Sequence, residues 1–140
     1  MASTLSGGDR KGRTMSRNTI RDIQRMKKSG TPITMITAYD YTAGRLIDEA
    51  GIPMILVGDS MGQTTLGYES TIPVTVHDIV SATGAVIRGN RNALVVADMP
   101  FMSYQASTTD ALRTAGRLIK EGGAQSVKIE GGAPIIESVR

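Results

Sequence analysis

"MILVGDSMG", residues 54–62, sets four apolar residues directly against a glycine, a carboxylate and a hydroxyl. Met54–Val57 is short and apolar at every position, which is the pattern of a strand covered on both faces. A buried strand that runs into Asp59 and Ser60 delivers polar groups to one end of a sheet. The pattern recurs on either side. Ile33–Ala38 (ITMITA) is predicted as a strand and is followed by Tyr39-Asp40. Ala93–Ala97 (ALVVA) is followed by Asp98, and Ser126–Ile129 by Glu130. Every predicted strand therefore leads into an acid.

Helical stretches separate these strands. Thr42–Ala50 reads as a helix with Leu46, Ile47 and Ala50 inward, closed by Gly51. Gly58–Thr75 reads as a long loop. Val76–Ile87 is helical until Arg88-Gly89-Asn90, Ser107–Glu121 until Gly122-Gly123, and Pro134 opens one more helix. Ahead of the repeat, Asn18 or Thr19 caps a helix to Lys28, with Ile20, Ile23 and Met26 on one face. Strands that alternate with helices pair in parallel, because each helix is the crossover. Two architectures satisfy this: an open doubly wound sheet, or four of the eight units of a (β/α) barrel.

The bulk numbers bound the rest. The chain has 140 residues, one ordinary domain, with 40% apolar residues, no Trp and eight Met. The absence of Cys excludes disulfides and thiolate metal sites and fits a reducing, cytoplasmic setting. Residues 1–30 carry eight Lys or Arg against two Asp, whereas the remainder carries eight against eleven acids. Residues 1–17 are expected to be a disordered basic tail, and 18–140 the folded unit. The tail lacks the aromatics or motif of a nucleic-acid surface. No apolar run is long enough for a membrane span, and none resembles a signal peptide. The Ser, Thr and Arg of residues 1–17 are compatible with a transit peptide, against which Asp9 counts.

Carboxyl ends of parallel strands are where α/β proteins build sites. Asp40, just before a helix, is explained by N-capping. Asp59 precedes a stretch with no helical pattern, and Asp98 precedes Met99-Pro100, where proline blocks an immediate helix. Both are candidate ligands. Lys128 and Glu130 share a strand face by the two-residue period, and a buried ion pair is the bland alternative. Carboxylates converging on one rim need a cation or a proton, and oxygen-only ligands favour Mg²⁺ over Zn²⁺. His77, the only histidine, opens a helix and reads as a surface or capping-region residue. The glycines of GDSMG lack the Lys of a phosphate-binding loop. Met35, Met54 and Met61 read as core or pocket filler.

Four stretches carry a resemblance. TAYDYTAGRLIDEAGIPMILVGDS (37–60), GYESTIPVTVHDI (67–79), LVVADMPFMSY (94–104) and SVKIEGG (126–132) together resemble the ketopantoate hydroxymethyltransferases. The resemblance implies a (β/α)8 barrel of the phosphoenolpyruvate/pyruvate type, of which these residues are the first four units, ending in the fourth helix. It implies transfer of a hydroxymethyl group from 5,10-methylenetetrahydrofolate to 3-methyl-2-oxobutanoate. It implies that Asp59 and Asp98 hold Mg²⁺, with Glu130 as a third acid at the metal, directly or through water. Asp59, Ser60, Asp98 and Lys128 would meet the 2-oxo acid, Ser60 and Lys128 chiefly at its carboxylate. The family's proton-transfer glutamate would lie beyond residue 140, so no catalytic base is assigned here and the 140 residues alone are expected to be inactive. Full-length members form homo-oligomers, decamers. Two other readings stay open: a related lyase acting on 2-oxo acids, against which the GYESTIPVTV and TAYD stretches argue, and a non-catalytic half-barrel that binds a partner.

Overall fold

The computed structural model describes residues 17–140, and the expected tail, 1–16, lies outside the described residues. Arg17, counted with that tail, belongs to the fold. Its guanidinium donates from Nη2 to the carbonyls of Ile87, at 3.3 Å, and of Asn90.

Four strands form one sheet: β1 (Met35–Thr37), β2 (Met54–Val57), β3 (Leu94–Asp98) and β4 (Ser126–Lys128). They are parallel and lie in the order β1-β2-β3-β4. A doubly wound sheet reverses its order at a switch point. Here each strand adds beside its predecessor, as in a barrel wall. The chain is thus a partial (β/α) barrel.

Helices α2 (Tyr41–Glu49), α4 (Val76–Gly89) and α5 (Thr108–Lys120) pack in sequence, α2 on α4 and α4 on α5. Their cover is one-sided. Ile55, Val57, Val95 and Ala97 join one core with Ile79, Ala82, Val86 and Leu118 of the helices. The opposite face, by strand alternation, carries Met54, Leu56, Leu94, Val96, Asp98 and Lys128. Only β3 is buried at all five positions, while β1 is exposed throughout. Cover on both faces was expected; edge position and the one-sided helix layer explain why β1 lacks it. Met35 is correspondingly exposed, whereas Met61 is buried.

The inward faces follow period and size. In α4, Ile79, Ala82, Thr83 and Val86 are buried, spaced as one helical face. In α2 the expected inward residues Leu46 and Ala50 are exposed, and Gly44 is the buried position. The cause is close approach. A Cβ on Gly44 would stand 2.9 Å from the Val86 carbonyl oxygen, and one on Gly89 would stand 2.3 Å from that of Tyr41. Two helices meet through glycines, and this rotates Leu46 outward.

At the amino ends of the strands, one carboxylate organises the turn into β3. Asp48 accepts from the backbone amides of Arg91, Asn92 and Ala93 at 2.9–3.1 Å and from Asn92 Nδ2 at 3.0 Å. Buried Asn90 bonds Ala93 in both directions, and Asn18 Nδ2 donates to Pro53 O at 3.1 Å. Ahead of the sheet, α1 (Ile20–Lys28) opens with a capping box between Thr19 and Asp22. The 3₁₀ turn Ala133–Ile135 and α6 (Ile136–Val139) occupy the segment that Pro134 was predicted to open.

Two outcomes test this account. Gly89→Ala gains about 1 kcal/mol of helix propensity but drives a methyl into fixed backbone, for which overpacking costs about 1–3 kcal/mol; urea melting should show net loss. Gly116→Ala, in α5 with open space around it, should instead stabilise by about 0.5–1 kcal/mol. Separately, hydrogen bonds from the Thr19 hydroxyl and backbone and from Arg25 hold Asp22 at about 2, below the ordinary 3.8. A lowered acid stabilises above the ordinary value and loses that contribution as pH falls through the lowered one. The protection factors of the first-turn amides of α1, taken relative to intrinsic exchange at each pH, should therefore fall as pH drops from near 3.8 down to about 2, and Asp22→Asn should remove that dependence.

Candidate active site

Asp98 closes β3 on the face the helices leave open, and only 4% of it is exposed. Its Oδ2 accepts from the backbone amide of Asp59 at 3.1 Å. Its Oδ1 lies 2.6 Å from Lys128 Nζ, because β3 and β4 place Asp98 and Lys128 in register. Lys128 Nζ is also 2.9 Å from Glu130 Oε1. Asp59, Asp98, Lys128 and Glu130 thus form one line across the ends of three strands, along a cleft of about 160 Å³. Lys128 and Glu130 do share a face. Theirs is no buried pair, since the Glu130 side chain is 76% exposed.

Gly58 makes the line possible. A Cβ there would meet Ser60 Oγ at 3.0 Å and Asp98 Oδ2 at 3.2 Å. Gly62 serves packing: its Cβ would stand 2.5 Å from Val74 Cγ2. Directly after Asp59 and Ser60 comes α3 (Met61–Thr64), a turn of helix where a loop was expected. Four residues are too few to display a period. Ser60 occupies its N-cap position yet makes no capping bond. The hydroxyl instead pairs with Tyr39 OH at 2.8 Å.

Two tyrosines had been given no role. Tyr104 is buried; its hydroxyl donates to Glu130 O at 2.7 Å and accepts from Glu130 N at 3.2 Å. The next residue, Gly131, has a φ of 145°. One phenol therefore pins the backbone of a glutamate just ahead of a glycine in a conformation that other residues rarely adopt. The available signal was only that a buried phenol needs a partner. Asp40 does not join the site. It caps α2, accepting from Ala43 N at 2.8 Å. His77 is exposed at the start of α4, where Thr75 and Asp78 form the cap.

The electrostatics divide the charges. Burial pushes the Asp59 carboxyl up, the Asp98 charge adds to this, and Lys128 opposes it. For Lys128, burial is the largest single influence and lowers its value; the contacts with Asp98 and Glu130 together outweigh it, and the net shift is upward. Among the described residues, no three His, Cys, Asp or Glu side chains gather closely enough to enclose a metal by themselves. The donor set nevertheless fits Mg²⁺, which is ordinarily held by one or two carboxylates with water and substrate completing the shell. Asp98 Oδ1 is buried and, apart from the charge contact, accepts no aligned hydrogen bond. The Asp98 charge penalises ionisation of Asp59, which a cation between them would relieve, and Glu130 pairs with Lys128.

An acid whose value is raised by folding stabilises the fold below its ordinary value and ceases to do so once ionised. Asp59→Asn keeps the neutral form. It should raise the urea midpoint of the metal-free chain at neutral pH, and the gain should vanish near the ordinary aspartate value of 3.8.

Comparison with known proteins bears on this geometry. The sequence model of the family described as "Ketopantoate hydroxymethyltransferase" matches residues 17–140. The chain is 57% identical over 124 residues to a 3-methyl-2-oxobutanoate hydroxymethyltransferase of Clostridium novyi, covering 89% of this chain and 45% of that protein. It is 56% identical over 130 residues to the protein of that name in Syntrophus aciditrophicus, covering 93% and 47%. The chain thus spans about half the length of these relatives. Among solved structures, 2,3-dimethylmalate lyase, a member of the PEP mutase/isocitrate lyase superfamily, matches with a TM-score of 0.60 at 15% identity, covering 85% of this chain and 42% of that one. Oxaloacetate acetylhydrolase matches at 0.57 and 17%, covering 74% and 37%. At such identities the likeness is one of fold, the barrel wall seen here. The sequence match is of another order, and it shows that this chain belongs to the ketopantoate hydroxymethyltransferase family.

Proposed function

We propose that these residues form the cation- and oxo-acid-binding part of an enzyme that transfers a hydroxymethyl group from 5,10-methylenetetrahydrofolate to 3-methyl-2-oxobutanoate, giving 2-dehydropantoate. The observation that carries this reading is the line Asp59–Asp98–Lys128–Glu130 on the open face of the sheet, within a chain 57% identical to proteins of that name. A 2-oxo acid presents a carboxylate and a keto oxygen side by side. Asp59 and Asp98 would hold Mg²⁺, and when bound it supplies Lewis-acid polarisation of the keto group, which makes the C3 proton easier to remove.

The remaining work falls to the chain's own side chains. Lys128 turns its ammonium to the substrate carboxylate, orienting C3 and offsetting negative charge. Ser60 donates a neutral hydrogen bond beside it. Glu130 balances Lys128 and would serve as a third acid at the cation, directly or through water. The Asp59 amide keeps Asp98 aligned and leaves Asp98 Oδ1 turned to the cationic side. Proton removal from C3 belongs to a group outside residues 1–140, as the family resemblance implies. The enzyme is read as cytoplasmic and homo-oligomeric. Among the described residues no helix is long and apolar enough to cross a membrane, and exposed Met35, Ile36 and Leu46 offer apolar surface for contacts.

Calorimetry with Mg²⁺ tests the reading. The chain should bind the ion, and Asp59→Ala and Asp98→Ala should each weaken binding at least tenfold, the order expected for losing one charged ligand contact. Equal affinity in Asp59→Ala and the unsubstituted chain would remove Asp59 from the site. The 140 residues, purified free of host enzyme, should form no 2-dehydropantoate; turnover by them would overturn the assignment of the base to another segment.

A further inference from the structure

Ser60 has the residue type and position of a helix cap, yet its hydroxyl makes no capping bond and lies 2.8 Å from Tyr39 OH. The arrangement is built from separate elements. Tyr39 follows β1, Ser60 follows β2, and Gly58 leaves room for Ser60 Oγ, which an added Cβ would approach to 3.0 Å. Both residues are only partly buried, so desolvation alone does not force the two hydroxyls together.

Each hydroxyl carries one proton, and geometry allows either to donate. Chemistry chooses. A phenol is a far stronger acid than an alkanol, with a pKa of about 10, and is the better donor. When Tyr39 donates to Ser60 Oγ, the serine proton is left over. It can then point only at a third group, and the first hydrogen bond polarises the second. A serine in water shares its proton among many acceptors; this one, while Tyr39 donates to it, keeps its proton free for another group.

We infer that Tyr39 is a positioning residue that fixes Ser60 as a hydrogen-bond donor to the carboxylate of the bound 2-oxo acid. This rests on the oxo-acid reading above. Tyr39 does not touch the acid; it acts through Ser60. Its contribution should therefore exist only while Ser60 is present.

A double-mutant cycle reads this directly, with 3-methyl-2-oxobutanoate titrated into the Mg²⁺-loaded chain by calorimetry. Tyr39→Phe, which keeps the ring, should weaken binding about three- to tenfold, the scale of one neutral hydrogen bond. Ser60→Ala should weaken it at least as much. Tyr39→Phe in the Ser60→Ala background should change affinity less than about twofold. Mg²⁺ affinity without the acid, and the urea midpoint, should be the same in Tyr39→Phe as in the unsubstituted chain. Additive effects, or a loss from Tyr39→Phe that persists without Ser60, would overturn the inference, as would an unchanged affinity in Tyr39→Phe. Failure of the unsubstituted chain to bind the acid would overturn the oxo-acid reading and this inference with it.

Discussion

The contact between Asp98 and its two neighbours governs the site. A carboxylate this deeply buried is costly unless charge and hydrogen-bond partners meet it. Asp98 finds one partner past the end of β2, the Asp59 amide, and the other at the end of β4, the Lys128 ammonium. One side chain thereby joins the carboxyl ends of three strands. Gly58 is glycine because the Asp98 carboxylate and the Ser60 hydroxyl occupy the space a Cβ would need. Lys128 sits in register with Asp98, and the two-residue strand period puts Glu130 on the same face as Lys128.

The two ends of β3 use aspartate differently. At the entry, Asp48 receives three backbone amides and one side-chain amide, all neutral and all fixed. Its acceptor capacity is spent on the turn. At the exit, Asp98 receives one amide and leaves an oxygen facing the Lys128 ammonium. The first arrangement is structural, as expected at the amino end of a barrel wall; the second keeps capacity for a ligand. Asp40 shows how local the distinction is. It also follows a strand, but its helix begins at once and takes the carboxylate as a cap.

Much of this was legible in the sequence because it depends on short-range pattern. The four strands are short apolar runs, and the helices between them carry spaced apolar faces with a capping aspartate, threonine or serine at one end. The acids at strand ends stood out for the same reason. Barrel against doubly wound sheet was not decidable from the residues themselves, because strand order is a long-range fact that the repeat does not encode. Leu46 misled because hydrophobicity alone predicted burial, whereas Gly44 and Gly89 let α2 and α4 approach and turned it outward. Tyr39 and Tyr104 were invisible as partners of Ser60 and Glu130, since those contacts bridge 21 and 26 positions of chain. The short helix after Asp59 was missed because a single turn has no period to read.

The unbroken order β1-β2-β3-β4 also has a meaning in time. Each strand hydrogen-bonds to the strand made just before it, so a ribosome can release this wall one unit at a time. Within β1–β4, each strand finds its partner in the strand made just before it. Each pairing still has to close a loop of 19, 40 or 30 residues, and parallel pairing across such separations is slow. The exposed edge moves with synthesis: β2 covers one side of β1, β3 then covers β2, and β4 covers β3. The Asp98 junction comes late in that series, since its lysine arrives with β4. The topology thus permits assembly by accretion, with the charged cluster completed when β4 arrives.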